Sequence, residues 1–362
     1  MAAGTLIRPG LAVGSAVALG LLARRLRQRP LDLRGRVVLV TGGSRGLGLA
    51  LAREFARRGC RLVICARSEA ELERARADLE ARGAEVLAVP CDVGDQEQVG
   101  RLVGAATGRF GRIDVLVNNA GIISMGPLRS QTVEDFRAAM DAMFWGVLYP
   151  TLAVLPGMLA RREGRILNVT SIGGKVSAPH LLPYGSAKFA AVGLSEGLRA
   201  ELAREGVTVT TVVPGFMRTG SFVNALFKGR HRAEYAWFSV LGNLPFTSMA
   251  AQDAARRVVE AARRGEAEVT LGAQAWAASR LQGLFPGLTA DVLALVNRLL
   301  PRPDGLVRAA VPGRESETAL TSSFLTALGR RAVPEYLQDA ADGAGAAPAQ
   351  AWAHDARAAP EA

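Results

Sequence analysis

Cysteine, histidine and aromatic residues are scarce in this sequence. Of its 362 residues, three are cysteine, three are histidine and 6% are aromatic. The odd cysteine count lacks metal-ligand spacing, which argues against a disulfide framework and favours buried free thiols in a reducing compartment at Cys60, Cys65 and Cys91. Three histidines make a histidine-rich metal site improbable, and we predict no metal.

Positive charge is concentrated at one end of the chain. The net charge is +11, but residues 1–36 alone carry seven arginines and one aspartate. The remainder is only mildly basic, so no nucleic-acid partner is indicated. Hydrophobic residues make up 49% of the chain, which is enough to bury a large core.

The first 33 residues combine an apolar stretch with a basic cluster. Residues 9–23 carry no charge, and as a helix they would span roughly 22 Å, although counting from Ala2 makes the stretch long enough for a bilayer. Five arginines follow between residues 24 and 34, which favours keeping that side in the cytoplasm. We expect an uncleaved N-terminal membrane anchor. An amphipathic surface helix or a disordered leader also fits, whereas a signal peptide fits less well.

From Arg36 to Leu271 short apolar runs alternate with helical segments, as in repeated βαβ units. The predicted strands are 36–41, 61–66, 85–90, 113–118, 164–170, 207–213 and 267–271. The predicted helices lie near 46–58, 69–82, 95–109, 132–160, 184–205 and 251–264. This pattern predicts an α/β fold with a single doubly wound parallel sheet, a Rossmann fold.

The first predicted strand ends in a glycine-rich turn that opens a helix. The turn reads Thr41, Gly42, Gly43, Ser44, Arg45, Gly46, Leu47, Gly48. Its glycines permit a tight turn and close backbone approach to a ligand, while the helix start attracts an anion. We interpret the turn as a cradle for a dinucleotide pyrophosphate. A glycine-rich turn without a ligand is the alternative.

Residues after the second and third predicted strands indicate which nucleotide binds and where its adenine lies. Arg67 stands where an acidic residue would bind a ribose 2′-hydroxyl, and with Arg45 it points to the 2′-phosphate of NADP. Both could instead be ordinary solvated arginines. Asp92, followed by Val93, is placed to meet the adenine edge, or it could cap the helix that begins near Asp95.

Polar residues also end the fourth and fifth strands. Asn118, Asn119, Ala120 and Gly121 would shape the floor of the nucleotide site. Ser171 follows the fifth strand. Tyr184 and Lys188 stand one helical turn apart, so that an ammonium could lower the pKa of a phenol beside it.

Together these motifs resemble the short-chain dehydrogenase/reductase family over about residues 34–272. The resemblance implies Tyr184 as general acid/base, Lys188 as the group that bonds the nicotinamide ribose and lowers the tyrosine pKa, and Ser171 as the residue that orients the carbonyl. It also implies nucleotide contacts along the motifs, which on this sequence are Thr41, Gly42, Ser44, Arg45, Gly46, Leu47, Gly48, Arg67, Asp92, Val93, Asn119, Ala120, Gly121, Tyr184, Lys188, Pro214, Gly215 and Thr219.

One position departs from the family pattern. Many members have an asparagine in the long helix before the fifth strand, where it anchors a water in the proton relay. Met143 aligns with that asparagine. A thioether cannot donate a hydrogen bond and accepts one weakly, so we expect another relay route or slower turnover.

Beyond the motifs, three segments remain. Residues 216–246 are rich in aromatics with few regular-structure signals, and they fit either the family's mobile substrate lid or a packed satellite core. Residues 273–335 are expected to form an extension with two amphipathic helices joined at Pro286, which could lie on a membrane, roof the substrate entrance, or pack on the domain or a second subunit. Residues 336–362 are expected to be disordered.

The sequence therefore predicts a membrane-associated, NADP-dependent oxidoreductase with its catalytic domain in the cytoplasm. It would interconvert a ketone and a secondary alcohol on a lipophilic lipid, acyl or steroid-like substrate. Homo-oligomerisation would follow family habit. The alternative is an NADP(H)-binding regulatory or scaffold protein at the membrane with little turnover. A serine hydrolase is weaker, because the residues around Ser171 lack nucleophile-elbow glycines and His180 has no evident acidic partner in the sequence.

Overall fold

Seven parallel strands form the centre of the protein. The computed structural model describes residues 30–302 and 309–339. The strands are β1 (Val37–Thr41), β2 (Arg61–Ala66), β3 (Val86–Pro90), β4 (Val115–Asn118), β5 (Gly164–Val169), β6 (Val207–Pro214) and β7 (Glu268–Leu271). They lie in the order β7-β6-β5-β4-β1-β2-β3, and every neighbouring pair is parallel. The predicted single doubly wound sheet is confirmed.

Helices cover both faces of this sheet. The helices of the described residues are α1 (Gly46–Arg57), α2 (Glu69–Glu80), α3 (Gln96–Phe110), α4 (Val133–Met140), α5 (Gly146–Arg161), α6 (Leu182–Glu201), α7 (His231–Asn243), α8 (Ala251–Arg264), α9 (Ala273–Leu284), α10 (Pro286–Leu299) and α11 (Ala327–Glu335). Successive strand residues point to opposite faces. Accordingly, Val38 and Val40 of β1 pack in one buried cluster with α1 and α8, while Val37 and Leu39 pack in the other with α3 and α5.

The strand order reverses between β1 and β4. In such sheets a crevice opens at the carboxyl ends of the strands where the order reverses, and ligands bind there. The residues that follow β1, β4, β5 and β6 all emerge at this edge. They include residues 42–48, 119–121, 171 and 215–219. The fold therefore collects the predicted site segments at one edge of the sheet.

The aromatic segment 216–246 is a packed satellite core, one of the two expectations for it. Helix α7, which the sequence pattern did not predict, contributes Tyr235 and Phe238 to a buried cluster with Phe222 and Phe227. Short strands support this cluster. Leu226–Phe227 pairs with Ser124–Met125 and with Val311–Pro312, while Phe216–Arg218 pairs with Ser248–Ala250.

The two ends of the domain differ from the expected boundaries. Leu33 is buried and Leu31 N donates to Arg263 O, so the domain starts before residue 34. At the other end Tyr336 and Gln338 are buried, so the predicted start of disorder at residue 336 is wrong. The expected membrane anchor lies largely in residues 1–29, and the rest of the expected tail is 340–362. Both lie outside the described residues.

The C-terminal extension begins with two exposed helices. Helices α9 and α10 meet at Pro286, as predicted. No residue of α10 is buried, and much of the exposed surface is apolar. Within the described ranges, one helical stretch, residues 133–161, is long and apolar enough to cross a membrane. It contains α4 and α5, and its residues Val154 and Met158 are buried in the core.

Candidate active site

Ser171, Tyr184 and Lys188 meet at the carboxyl end of β5. The Tyr184 hydroxyl is hydrogen-bonded to the Ser171 side chain. Lys188 Nζ lies 5.9 Å from the centre of the Tyr184 ring and donates to Val169 O at 2.9 Å. The structure thus brings together all three residues predicted to be catalytic.

The loop between β5 and α6 fixes these side chains. Gly173 N donates to Ser171 Oγ at 3.0 Å. A Cβ on Gly173 would lie 2.9 Å from Tyr184 Cε1, and one on Gly174 would lie 2.6 Å from Lys188 O. Only glycine lets the loop pack this closely on the helix. Helix α6 begins at Leu182, two residues before the predicted start, with Pro183 in its first turn.

Burial shifts both titrating groups away from their charged forms. It raises the pKa of Tyr184, and the Ser171 hydrogen bond only partly offsets this effect. Burial also lowers the pKa of Lys188 to about 8. Desolvation is the largest influence on the phenol, so its net pKa is raised, and the lowering expected from the lysine stays a prediction. The phenol of Tyr184 therefore stays protonated at neutral pH.

Hydrogen bonds connect the glycine turn to the residues that follow β4. Asn119 N and Ala120 N donate to Thr41 Oγ1 at 2.9 and 3.1 Å, and Asn119 Nδ2 donates to Thr41 O at 3.0 Å. Gly42 has φ +62°, and a Cβ there would lie 2.9 Å from Ala120 Cα. Thr41 is fully buried, so these contacts give it and Asn119 a role in shaping the turn.

Positively charged side chains gather beside the turn. Arg45 forms an ion pair with Glu71 at 2.8 Å, and Ser44 Oγ donates to the same carboxylate at 3.2 Å. Burial lowers the pKa of Arg45, and the charges of Arg67, Arg314 and Arg74 lower it further against the opposing effect of Glu71. This excess of positive charge fits a phosphate group at the adenosine end of a dinucleotide.

The remaining predicted nucleotide residues line the same edge. Asp95, not Asp92, caps α3, since its carboxylate accepts from Glu97 N and Gln98 N. Asp92 instead accepts from Gly94 N at 2.9 Å. Val93 and Leu47 are buried beneath the crevice. The other predicted residues either end a strand or follow one, namely Gly121, Pro214, Gly215 and Thr219. Thr219 lies near the glycine turn, since a Cβ on Gly46 would be 4.0 Å from Thr219 Cβ.

Comparison with known proteins identifies the family. A family model described as short chain dehydrogenase matches residues 36–227, which is more than half of the chain. The chain belongs to the short-chain dehydrogenase/reductase family. The resemblance drawn from the motifs is thereby confirmed, and with it an oxidoreductase that uses a nicotinamide cofactor to interconvert ketones and alcohols.

Relatives within this family cover most of the chain. A dehydrogenase/reductase family protein 7-like from Anopheles gambiae is 36% identical over 66% of this chain and 75% of its own length. A putative ketoacyl reductase of granaticin polyketide synthase from Streptomyces violaceoruber is 42% identical over 51% of this chain and 68% of its own.

Solved structures of family members are also similar. One from Burkholderia phymatum, in complex with NAD, covers 76% of this chain and 98% of its own at 27% identity, with a TM-score of 0.64. An actinorhodin polyketide ketoreductase with NADPH covers 66% of this chain and 95% of its own at 31% identity, with a TM-score of 0.60.

Met143, the departure from the family pattern, lies at the site. It falls in a π-helical segment, Asp141–Trp145, that joins α4 to α5, and it is fully buried. A Cβ on Gly121 would lie 3.4 Å from Met143 Sδ and 3.8 Å from Lys188 Nζ. The thioether is therefore beside the lysine, where it presents no hydrogen-bond donor.

A buried polar chain beneath the site was missed in the sequence. Asn118 Nδ2 donates to Asn168 Oδ1 at 2.9 Å, and Asn168 Nδ2 donates to Ser195 Oγ at 3.0 Å. Ser195 Oγ lies 2.7 Å from Thr211 Oγ1. These hydrogen bonds connect α6 to three strands of the sheet and so help to hold Tyr184 in position. Asn168, which directly follows Ile166 and Leu167 in a buried strand, was the available signal.

His180 has an acidic partner after all. Its Nδ1 lies 2.8 Å from Glu234 Oε1, and Trp237 Nε1 donates to Glu234 Oε2 at 2.8 Å. This partner was not evident in the sequence, because Glu234 comes from α7, 54 residues away. Ser171 is instead bonded to Gly173 and Tyr184. Among the described residues no cluster of three or more His, Cys, Asp or Glu could hold a metal.

Proposed function

We propose that this protein is an NADP-dependent reductase that converts a ketone on a lipophilic molecule into a secondary alcohol. The observation that carries the proposal is the convergence of Ser171, Tyr184 and Lys188 at the crevice where the strand order reverses. These residues sit at the edge that holds the dinucleotide in sheets of this type.

Tyr184 is the proposed proton donor. Because burial raises its pKa, the phenol is protonated at neutral pH, which is the state that reduction needs. Ser171, already bonded to the phenol, can donate to the same carbonyl oxygen and align it. Lys188 sits close to the tyrosine ring, within reach of a ribose hydroxyl beside Gly121. A bound nicotinamide supplies the hydride for the carbonyl carbon.

NADP is the proposed cofactor. The cluster of Arg45, Arg67, Arg74 and Arg314 supports it, since the charges of the other three arginines add to that of Arg45. Two carboxylates offset part of this charge, Glu71 beside Arg45 and Asp339 beside Arg74. A 2′-phosphate would complete that charge balance, whereas the 2′-hydroxyl of NAD would not. The NADPH complex of the actinorhodin ketoreductase supports the same choice.

An apolar cavity supports a lipophilic substrate. The cavity has a volume of about 730 Å³ and lies between α10 and residues 177–182, which lead into the helix of Tyr184. Most of its surface is apolar, contributed by Leu128, Pro179, Leu182, Leu293 and Leu300, but Arg129, Ser177, His180, Asn297, Arg298 and Arg302 also line it. We propose that α9 and α10 roof the substrate entrance. Two relatives are named as a ketoacyl reductase and a 3-oxoacyl-[acyl-carrier-protein] reductase, and we propose the same class of substrate for this protein.

Attachment to a membrane is part of the proposal. Apolar side chains cover the exposed surface of α9 and α10, including Trp276, Leu284, Phe285, Leu288 and Leu299. Arginines at positions 280, 298 and 302 would meet anionic headgroups beside them. With the N-terminal segment, this surface would hold the catalytic domain on the cytoplasmic face.

Pairing of subunits through α4, α5 and α6 is also proposed. Trp145 in the π-helical segment between α4 and α5, Leu152 on α5 and Phe189 on α6 are exposed, with 37%, 51% and 42% of their surface accessible. Exposed apolar groups on neighbouring helices favour a homo-oligomeric contact.

A second function is favoured by Met143. Because this thioether replaces a hydrogen-bonding group beside Lys188, the protein could bind NADP(H) and act as a regulatory or scaffold protein with little turnover. Binding of NADPH without its oxidation across a broad ketone panel would support this alternative.

The reductase is tested by mixing the purified protein with NADPH and a panel of lipophilic ketones. We expect loss of NADPH absorbance that disappears in Tyr184→Phe. Tyr235→Phe is the matched control, because Tyr235 is fully buried in the satellite core and its hydroxyl has no hydrogen-bond partner. Turnover that survives Tyr184→Phe unchanged would refute the proposed role of this tyrosine.

A further inference from the structure

The chain places a C-terminal strap, residues 332–339, against the nucleotide site. Ala332 and Tyr336 belong to the main buried core. The Arg53 guanidinium lies 5.6 Å from the centre of the Tyr336 ring and donates to Glu335 O at 2.8 Å. The strap lies beyond the segment matched by the family model, yet it is packed as an integral part of the domain.

The strap touches the glycine turn directly. Gly46 N donates to Tyr336 O at 2.9 Å. A Cβ on Gly46 would lie 2.5 Å from Gln338 Nε2, with Thr219 Cβ 4.0 Å away. Gln338 is only 3% exposed. Its carboxamide therefore sits beside the two segments that would enclose a pyrophosphate, the glycine turn and the loop after β6.

Hydrogen bonds fix which end of the carboxamide faces the turn. Arg314 donates to Asn224 Oδ1, so Asn224 must present its Nδ2 to the strap. That nitrogen donates to Gln338 O at 2.9 Å and to Gln338 Oε1 at 2.6 Å. With Oε1 engaged, Nε2 is left to face the glycine turn. A donor at this place is complementary to a phosphate oxygen, whereas an acceptor would repel it.

We propose that Gln338 is a cofactor-binding residue, whose Nε2 donates a hydrogen bond to the pyrophosphate of the bound dinucleotide while Asn224 positions it. This inference rests on the proposed NADP dependence. The strap stays docked when the dinucleotide binds, because its release would expose Ala332 and Tyr336 to water. The C-terminal extension thus completes the cofactor site from outside the minimal family domain.

The test is an NADPH titration followed by nucleotide fluorescence, with Gln338→Ala, Gln338→Glu and the wild type. Loss of one hydrogen bond to a charged group should raise Kd roughly tenfold in Gln338→Ala. Gln338→Glu should weaken binding further, by roughly a hundredfold, because it turns a carboxylate towards the pyrophosphate. Gln282→Glu is the matched control, since it makes the same change on helix α9 and should leave Kd within about twofold. Unchanged binding in both Gln338 variants overturns the proposal. Tighter binding also overturns it, since the carboxamide would then be blocking the site.

Two ligand fragments separate a pyrophosphate contact from a general structural defect. We expect Gln338→Ala to lose affinity for 2′-phospho-ADP-ribose, which contains the pyrophosphate, and to keep its affinity for 2′-AMP, which does not. An equal loss for both fragments overturns the assignment. Wild-type protein that fails to bind NADPH refutes the proposed NADP dependence as well. If the wild type binds and oxidises NADPH while the Gln338 variants match it, only this inference fails.

Discussion

Replacing Lys188 by methionine is expected to stabilise the cofactor-free protein at neutral pH. The side chain is only 5% exposed, and burial lowers its pKa from an ordinary 10.5 to about 8. At pH 7 the folded protein thus holds a buried charge, and the difference between the two pKa values corresponds to about 3 kcal/mol. Methionine also loses the hydrogen bond to Val169 O, which is worth about 1–2 kcal/mol. The net gain should be about 1–2 kcal/mol.

The pH dependence of this gain follows from the direction of the pKa change. Because the folded pKa of Lys188 lies below the unfolded one, the unfolded wild type binds more protons between pH 8 and 10.5. Wild-type stability therefore rises relative to Lys188→Met through that window, and the advantage of the variant disappears as the pH approaches 10.5. Urea unfolding of both proteins at several pH values measures the difference in free energy.

Lys175→Met provides a control of opposite sign. Burial lowers the pKa of Lys175, but hydrogen bonds to Glu196 and Glu268 outweigh burial, and the net pKa is raised. Its stabilisation is complete below the unfolded pKa and is lost as the pH rises through the folded pKa. Lys175→Met should therefore be less stable at pH 7, with a deficit that shrinks in alkali. A Lys188→Met variant that is less stable at pH 7, by an amount that does not change with pH, would refute the argument.

Three further changes follow from the site. Arg45→Ala should weaken NADPH binding roughly tenfold or more, by loss of a charge-assisted contact. In the same fluorescence titration the Kd for NADH should stay within about threefold of the wild-type value. Equal losses of affinity for NADPH and NADH would contradict a 2′-phosphate site. Met143→Asn should raise kcat about tenfold with little change in KM, because it restores a hydrogen-bonding group beside the lysine, and a lower kcat would speak against that role. Glu234→Ala should cost about 2–4 kcal/mol in urea unfolding, since it leaves His180 and the Trp237 N–H unpaired in the interior, and an unchanged midpoint would contradict the buried pairing.

The sheet was predictable because its signals are local. Short β-branched runs, such as Val37–Thr41, are separated by turns and helices of ordinary length, so strand bounds could be read to within about two residues. The residues that end these strands then had to meet at one edge, since parallel strands point the same way. This is why Ser171 and the helix carrying Tyr184 could be placed together from the sequence.

Contacts between distant segments were not predictable in the same way. Glu234 meets His180 through a helix hidden in an aromatic stretch with weak periodicity, and Gln338 reaches Gly46 from nearly three hundred residues away. The pKa of Tyr184 was expected to fall because Lys188 is one turn away. Its rise depends on desolvation, which requires the packed structure. Local patterns do not encode such burial.

The most direct test of the central claim follows deuterium from the cofactor to the product. Purified protein is incubated with a lipophilic ketone and with NADPH that carries deuterium at both C4 positions of the nicotinamide, and the alcohol is examined by mass spectrometry. We expect deuterium on the carbinol carbon with the wild type and Tyr235→Phe, and almost none with Tyr184→Phe. Alcohol without deuterium would contradict hydride transfer from the cofactor. An equal amount of deuterated alcohol from Tyr184→Phe would contradict assistance by this tyrosine.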